Sequence, residues 1–302
     1  MHSKKKQVDV KIDQLTAEIE KQKKLLAKYR QTILQEAIEG KLTKGWREGN
    51  RDIKPASELL KHIAAEKAEL VKQKKIRRQN PPSEIKPDEI PFEIPKTWQW
   101  CRLGDILTFT DSGWSPACPP KSATENSWGV LKTTAIQKLF FDQTKNKGLP
   151  ATLTPRPEYE VKAGELLITR AGPANRVGIC CCIETTRSKL MLSDKIIRLH
   201  PIDMMESKYI AVFFTSPGGS EVLTSKKKGM AQSQVNVSQN NLKTSSFPLP
   251  PRAEQQEIVR RVETKFALCD KLEAQINSSS HTAETLSAAI LQELFDQNGG
   301  EN

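Results

Sequence analysis

Val8, Ile12, Leu15, Ile19, Leu26, Tyr29 and Ile33 advance by alternating fours and threes, with polar Gln22 holding the remaining place in the series. That alternation is a heptad seam, and it predicts one long helix over residues 8–38. Neither Pro nor Gly interrupts residues 8–39, and Gly40 supplies a stop. At ~1.5 Å per residue the helix is roughly 45 Å long. One apolar stripe of that length needs a partner helix. The far end of the chain offers one. After Pro250 and Pro251, the residues Ile258, Val262, Phe266, Cys269, Leu272 and Ile276 keep helical spacing, and Leu286, Ile290 and Leu294 continue it beyond a softer Ser278–Ser280 patch. We expect these two long helices to pair antiparallel as a coiled coil.

Between them the pattern changes period. Gly45, Gly49 and Pro55 mark a connector, and Ser57 reads as the N-cap of a second helix with a narrow stripe at Leu59, Ile63 and Leu70 and a strongly basic end. Asn80, Pro81 and Pro82 break it, and Pro87, Pro91 and Pro95 predict an extended tether. Short β-branched runs follow: WGVLKTTAI, ELLITRA, RVGICCCI and IIRLHP. Helical stretches are expected near residues 204–214 and 220–228. The fold class is therefore α+β, with one mixed α/β domain and two long antiparallel helices. The expected segments are a helix over 1–45, a connector over 46–94, the mixed domain over 95–250 and the distal helix over 251–302.

Charge sharpens both ideas. The chain carries a formal net charge of +11. Residues 1–80 hold 21 basic against 11 acidic side chains, whereas residues 251–302 hold 5 against 9. A basic and an acidic helix can flank a shared seam, and excess positive charge on the first helix and the middle fits a polyanion lying across both. Three of the six Cys are consecutive (Cys180, Cys181, Cys182) and none forms a C-x-x-C pair, which suits reduced thiols in a cytoplasmic protein. No signal peptide or spanning apolar run is evident, so no membrane partner is expected.

Catalytic patterns are weak. Asn80-Pro81-Pro82-Ser83 is similar to the Asn-Pro-Pro-aromatic loop of amino-methyltransferases but lacks the aromatic and follows a basic helix, so it reads as a helix stop. Glu160-x-Lys162 with Asp142 is too common a pattern to define a nuclease. The four His are scattered and form no metal-ligand spacing. Loop residues remain. Ser112, Trp114 and Ser115 lie in one turn, Arg170, Asn175 and Arg176 in a second, and Gln232 and Gln234 in a third. Arg can bond guanine, and Asn or Gln adenine, so these are candidates for base readout in the major groove. Lys132, Lys226, Lys227 and Lys228 are phosphate candidates. The seam candidates are Ile12, Leu15, Ile19, Leu26, Tyr29, Ile33, Ile258, Val262, Phe266, Cys269 and Ile276. A coiled-coil adaptor without DNA readout, or an adenine methyltransferase or nuclease, are the alternative readings.

Several stretches together resemble the specificity subunit of type I restriction–modification systems. YRQTILQEAIEGKLT (residues 29–43) resembles the end of that family's central conserved helix. Ala56-Ser57-Glu58-Leu59-Leu60 is similar to the helix that follows it. PKTWQWCRLGDI (residues 95–106) resembles the opening of a target recognition domain, and Phe247-Pro248-Leu249-Pro250-Pro251 with Glu254, Gln255, Ile258 and Val259 its exit into the distal helix. The resemblance implies a non-catalytic subunit that selects one half of a bipartite DNA site and docks modification and restriction subunits. S-adenosylmethionine, ATP and Mg are expected in those partners, with no cofactor here. A full family member alternates two recognition domains with two helices. This chain is therefore expected to be a half, completed by a second copy of itself or by another half-subunit.

Overall fold

The computed structural model describes residues 2–78, 83–231 and 234–299. Its helices are α1 (His2–Ile38), α2 (Lys44–Gly49), α3 (Ala56–Lys72), α4 (Ser207–Thr215), α5 (Pro217–Thr224), α6 (Gln239–Lys243) and α7 (Arg252–Gly299). Between α3 and α4 run β1 (Gln99–Arg102), β2 (Leu107–Ser112), β3 (Gly129–Leu131), β4 (Ile136–Gln137), β5 (Phe140–Phe141) and β6 (Asn146–Gly148). They are followed there by β7 (Leu166–Thr169), β8 (Ala171–Gly172), β9 (Cys180–Cys182), β10 (Leu190–Met191) and β11 (Ile196–Pro201). Then β12 (Lys228–Ala231) and β13 (Gln234–Asn236) precede α6, and β14 (Ser246–Leu249) precedes α7. The fold is α+β. Among the described residues no helix is long and apolar enough to cross a membrane.

The chain divides into two compact units, Met1–Ile33 with Arg261–Asn302, and Leu34–Arg260. In the helical unit Ile19, Leu26 and Ile33 are buried and Ile12 is half-buried, so the covered positions recur every seven residues. On α7, Val262 and Cys269 are buried and Ile276 half-buried, again seven apart. Arg30 joins the helices through Asp270 (2.6 Å) and Glu273 (2.9 Å). The expected seam needs correcting at Leu15 and Tyr29, which are 47% and 41% exposed. A full knobs-into-holes seam would bury both of these heptad positions, and here only one of the two is covered. Phe266 is only half-buried, while Ile258 is buried within the other unit.

The second unit is built on an antiparallel sheet in the order β2-β11-β7-β9. Leu167 and Ile196 from it join Leu131, Ile136, Ile183, Leu190 and Leu192 in one apolar core. Cys181 lies in that core, and burial pushes its thiol up to about 12, so it behaves as a small hydrophobe rather than a nucleophile. A smaller sheet, β10-β3-β6, and the ribbon β1-β14 complete the frame.

Charges lock the base of this unit. Buried Glu254, in the first turn of α7, accepts from Thr43 Oγ1 (2.6 Å), from Trp98 Nε1 (2.8 Å) and from Arg47. The expected extended tether is bent and tied down. Arg102, only 3% exposed, grips Glu89 with both Nη atoms (2.9 and 2.7 Å) and donates to the carbonyls of Ser83, Glu84 and Thr244. Glu89 sits in a short 3-10 turn, Pro87–Glu89, and the Arg102 hydrogen bonds hold its carboxyl well below the usual range. A Pro-rich run has few backbone donors, so a buried cation that collects its carbonyls can pin it. Helix α3, which precedes this run, starts at Ala56, with Pro55 rather than Ser57 at the N-cap position.

Candidate nucleic-acid interface

Strand alternation brings three loops to one end of the main sheet. Ser112 pairs with Ile197 and Thr169 with Ile196, so β2 ends, β11 begins and β7 ends at the same edge. The loops beyond those residues are tied by backbone bonds. Gly113 N–H donates to Ser193 O (3.2 Å), Trp114 N–H to Leu192 O (3.0 Å) and Arg170 N–H to Lys195 O (2.9 Å). Gly113 is required here, because a Cβ would sit 1.8 Å from the Leu192 carbonyl oxygen. The sheet β12-β13-β8 adds to this edge, with Val235 opposite Gly172.

Most of the candidates gather on this edge. Ser112 Oγ accepts from Gln239 Nε2 (3.1 Å), which also ties it to α6. Trp114 is half-buried with the Arg156 guanidinium 4.1 Å from its ring centroid, so the ring forms a cation–π stack at the surface. Ser115 is exposed and donates to Asp194 Oδ1. Arg170 reaches Asn236 Oδ1 only at 3.5 Å, and its Nε has no hydrogen-bond partner among the described residues. Asn175 and Gln234 are exposed. Lys227 is half-buried beside the same loop, donating to Ala174 O (3.3 Å), and burial pushes its pKa down. Lys132 is half-buried at the end of β3. Lys228 opens β12, and Gln232 lies outside the described residues, as do Asn80, Pro81 and Pro82.

Two assignments do not fit the geometry. Arg176 turns inward: Nη2 donates to the carbonyls of Thr133 (2.9 Å) and Ile136 (2.7 Å), and Nη1 to Gln137 Oε1 (3.4 Å). It braces the start of β4 and has few donors left for a base. Lys226 pairs with Glu89 (3.2 Å) and belongs to the base lock. In both cases a partner distant in sequence decided the role. The residues not singled out from sequence are exposed Lys195, Asn236 and Arg156 with the clamp Gln239. For Lys195 a signal existed, the Ser-Asp-Lys turn just before the strand IIRLHP.

An ion cluster supports the edge from the sheet face. Arg198 holds Asp111 (2.6 Å) and Glu165 (2.8 Å), and His200 Nε2 meets Asp111 (2.9 Å). Burial pushes the Asp111 carboxyl up, but the bonds from His200 and Arg198 outweigh it and hold the group at about 2. Asp111 precedes Ser112 directly, so this lattice fixes the strand end that carries the first loop.

What this edge presents is a set of amide, hydroxyl and cationic side chains on rigid strand ends, with no constellation of nucleophile and base among them. Comparison with known proteins agrees in class. Residues 95–279 match the family described as "Type I restriction modification DNA specificity domain". The chain belongs to this family. It is 48% identical over 263 residues to the EcoEI specificity subunit of Escherichia coli, an alignment covering 86% of this chain and 44% of that one. To the EcoAI specificity subunit of Escherichia coli it is 31% identical over 294 residues, covering 91% of this chain and 45% of that one. The chain thus spans about half the length of these relatives. A solved chain from a study of the type I R-M system shares the fold at a TM-score of 0.53 and 16% identity, over 96% of this chain and 58% of that one.

Proposed function

We propose that this chain is a non-catalytic DNA-recognition component of a type I restriction–modification complex. It reads one half of a bipartite duplex site with the loop edge of its second unit. The observation that carries this reading is the convergence of the loops after β2, after β7 and before β11 at one strand edge, with Ser115, Arg170, Asn175, Lys195, Gln234 and Asn236 around it. Arg and amide side chains on a rigid frame can read base edges, and the neighbouring Lys can hold phosphates. The long helices dock modification subunits, and Leu15, Tyr29, Leu268, Leu272 and Leu286, exposed on them, supply apolar surface for that purpose. Methylation with S-adenosylmethionine and cleavage with ATP and Mg belong to partner subunits. A second copy or another half-subunit supplies the other half-site. The direct test is methylated-base mapping in cells that carry this chain with its modification subunit. The expected result is adenine methylation at one defined bipartite sequence, changed at one half by Arg170→Ala. Methylation with no common sequence, or a pattern independent of this chain, would reject the reading.

A further inference from the structure

Away from the loop edge, α3 ends in an unusual way. Lys74 takes φ 58, the left-handed conformation that normally falls to Gly at this position. The amide of Lys75 closes back on Leu70 O (3.0 Å) and that of Lys74 on Val71 O (3.0 Å), a Schellman turn. Ile76 folds back half-buried, and the turn sends Arg77 and Arg78 to the rim of a groove of about 900 Å³. Lys243, at the end of α6, lines the same groove, and Lys67 stands in its wall, donating to the carbonyls of Gly104 (2.7 Å) and Asp105 (3.1 Å). Arg77 and Arg78 are exposed, and no carboxylate pairs with them or with Lys243 among the described residues. Asp105 is the one acid of the lining, and its carboxyl already receives the Arg102 amide.

We propose that the rim formed by Arg77, Arg78 and Lys243 is a second DNA contact, which takes the sugar–phosphate backbone of the duplex next to the half-site read at the loop edge. This rests on the DNA-reading role proposed above. Continuity supports it. Helix α6 has Gln239 at its first residue, clamped to Thr110 and Ser112, and Lys243 at its last. Five residues of helix span ~7.5 Å, and a duplex carries a phosphate charge every ~1.7 Å of axis. A backbone leaving the loop edge therefore reaches the rim within a few phosphates. Leu60, Ala64, Ala68 and Val71 also line the groove, beside the cations. The charge lies on the rim, where a passing strand would meet it. These contacts would position the duplex without reading its sequence.

The test uses the full chain and a fluorescent duplex containing its methylation site, titrated from low to high salt beside a duplex of unrelated sequence. For Arg77→Ala/Arg78→Ala/Lys243→Ala, affinity should fall about tenfold on both duplexes, and the plot of log affinity against log salt should become shallower by about 2–3. The preference between duplexes should stay unchanged, and Arg77→Lys/Arg78→Lys should keep the wild-type slope. An unaltered salt slope in the triple variant overturns the proposal, and so does an altered sequence preference. Loss of modification-subunit binding with the slope intact would instead make the groove a protein site. Wild-type chain that shows no salt-dependent DNA binding would overturn the DNA-reading role as well, which separates the two failures.

Discussion

The base and the loop edge of the second unit use the same residue types to opposite ends. At the base, Arg47, Arg102 and Lys226 point at Glu254 and Glu89, and Arg102 also collects three backbone carbonyls. At the edge, Asn175, Lys195 and Gln234 are exposed, and the half-buried Arg170 side chain has only the long bond to Asn236 among the described residues. The contrast follows from desolvation. A buried cation needs its donors matched inside the protein, so it fastens the fold and is closed to a ligand. An exposed cation adds little to stability and remains available to a polyanion. Arg170 and Arg176, six residues apart in one loop, are both half-buried and differ in their side-chain partners: Arg176 bonds two backbone carbonyls, Arg170 only Asn236 at 3.5 Å.

Substitutions should separate the two regions. Arg102→Ala leaves Glu89 and the carbonyls of Ser83, Glu84 and Thr244 without their donor, and should cost about 3 kcal/mol in chemical denaturation while leaving sequence preference intact. A cost below about 1 kcal/mol would show that the lock is dispensable. Arg170→Ala should lose about 1–3 kcal/mol of binding at one base position with melting unchanged, whereas Arg176→Ala should lower stability by about 2 kcal/mol and leave preference unchanged. The reverse pattern in these two Arg variants would dissolve the contrast. Asp111→Asn gives a pH-dependent case. The folded carboxyl titrates near 2, below its unfolded value, so its stabilisation is present above about pH 4 and is lost as pH falls through 2. The variant should be about 1–2 kcal/mol less stable at pH 7, after allowance for solvent screening, and equal to wild type below pH 2. A pH-independent difference in unfolding would assign the effect to packing. The smallest effect is expected for Lys195→Ala, which should weaken all duplexes alike by under about 1 kcal/mol and reduce the salt slope by about 1.

Local pattern carried much of the architecture. Heptad spacing marked α1 and α7, and the strands β3, β7, β9 and β11 fell within the β-branched runs WGVLKTTAI, ELLITRA, RVGICCCI and IIRLHP. The second helix was recognised, but its N-cap was placed two residues late, at Ser57 instead of Pro55. The prediction departed from the structure where a contact crosses long stretches of chain. Lys226–Glu89 spans 137 residues and Arg176–Ile136 spans 40, and neither pairing leaves a trace in local composition. A helical pattern also ran past the true end of α5 at Thr224, because β12 pairs with β13 and draws Lys228 into a strand.

Periodicity and turn chemistry are properties of neighbours along the chain, so this sequence by itself determined its long helices, its α+β class and the loops that could carry polar chemistry. Which of the two Arg in the loop after β7 is taken up by backbone carbonyls, which Lys becomes part of the base lock, and which heptad positions are covered were decided by tertiary structure. Burial is a collective quantity, and a guanidinium is free or occupied according to carbonyls and carboxylates that folding brings from elsewhere in the chain.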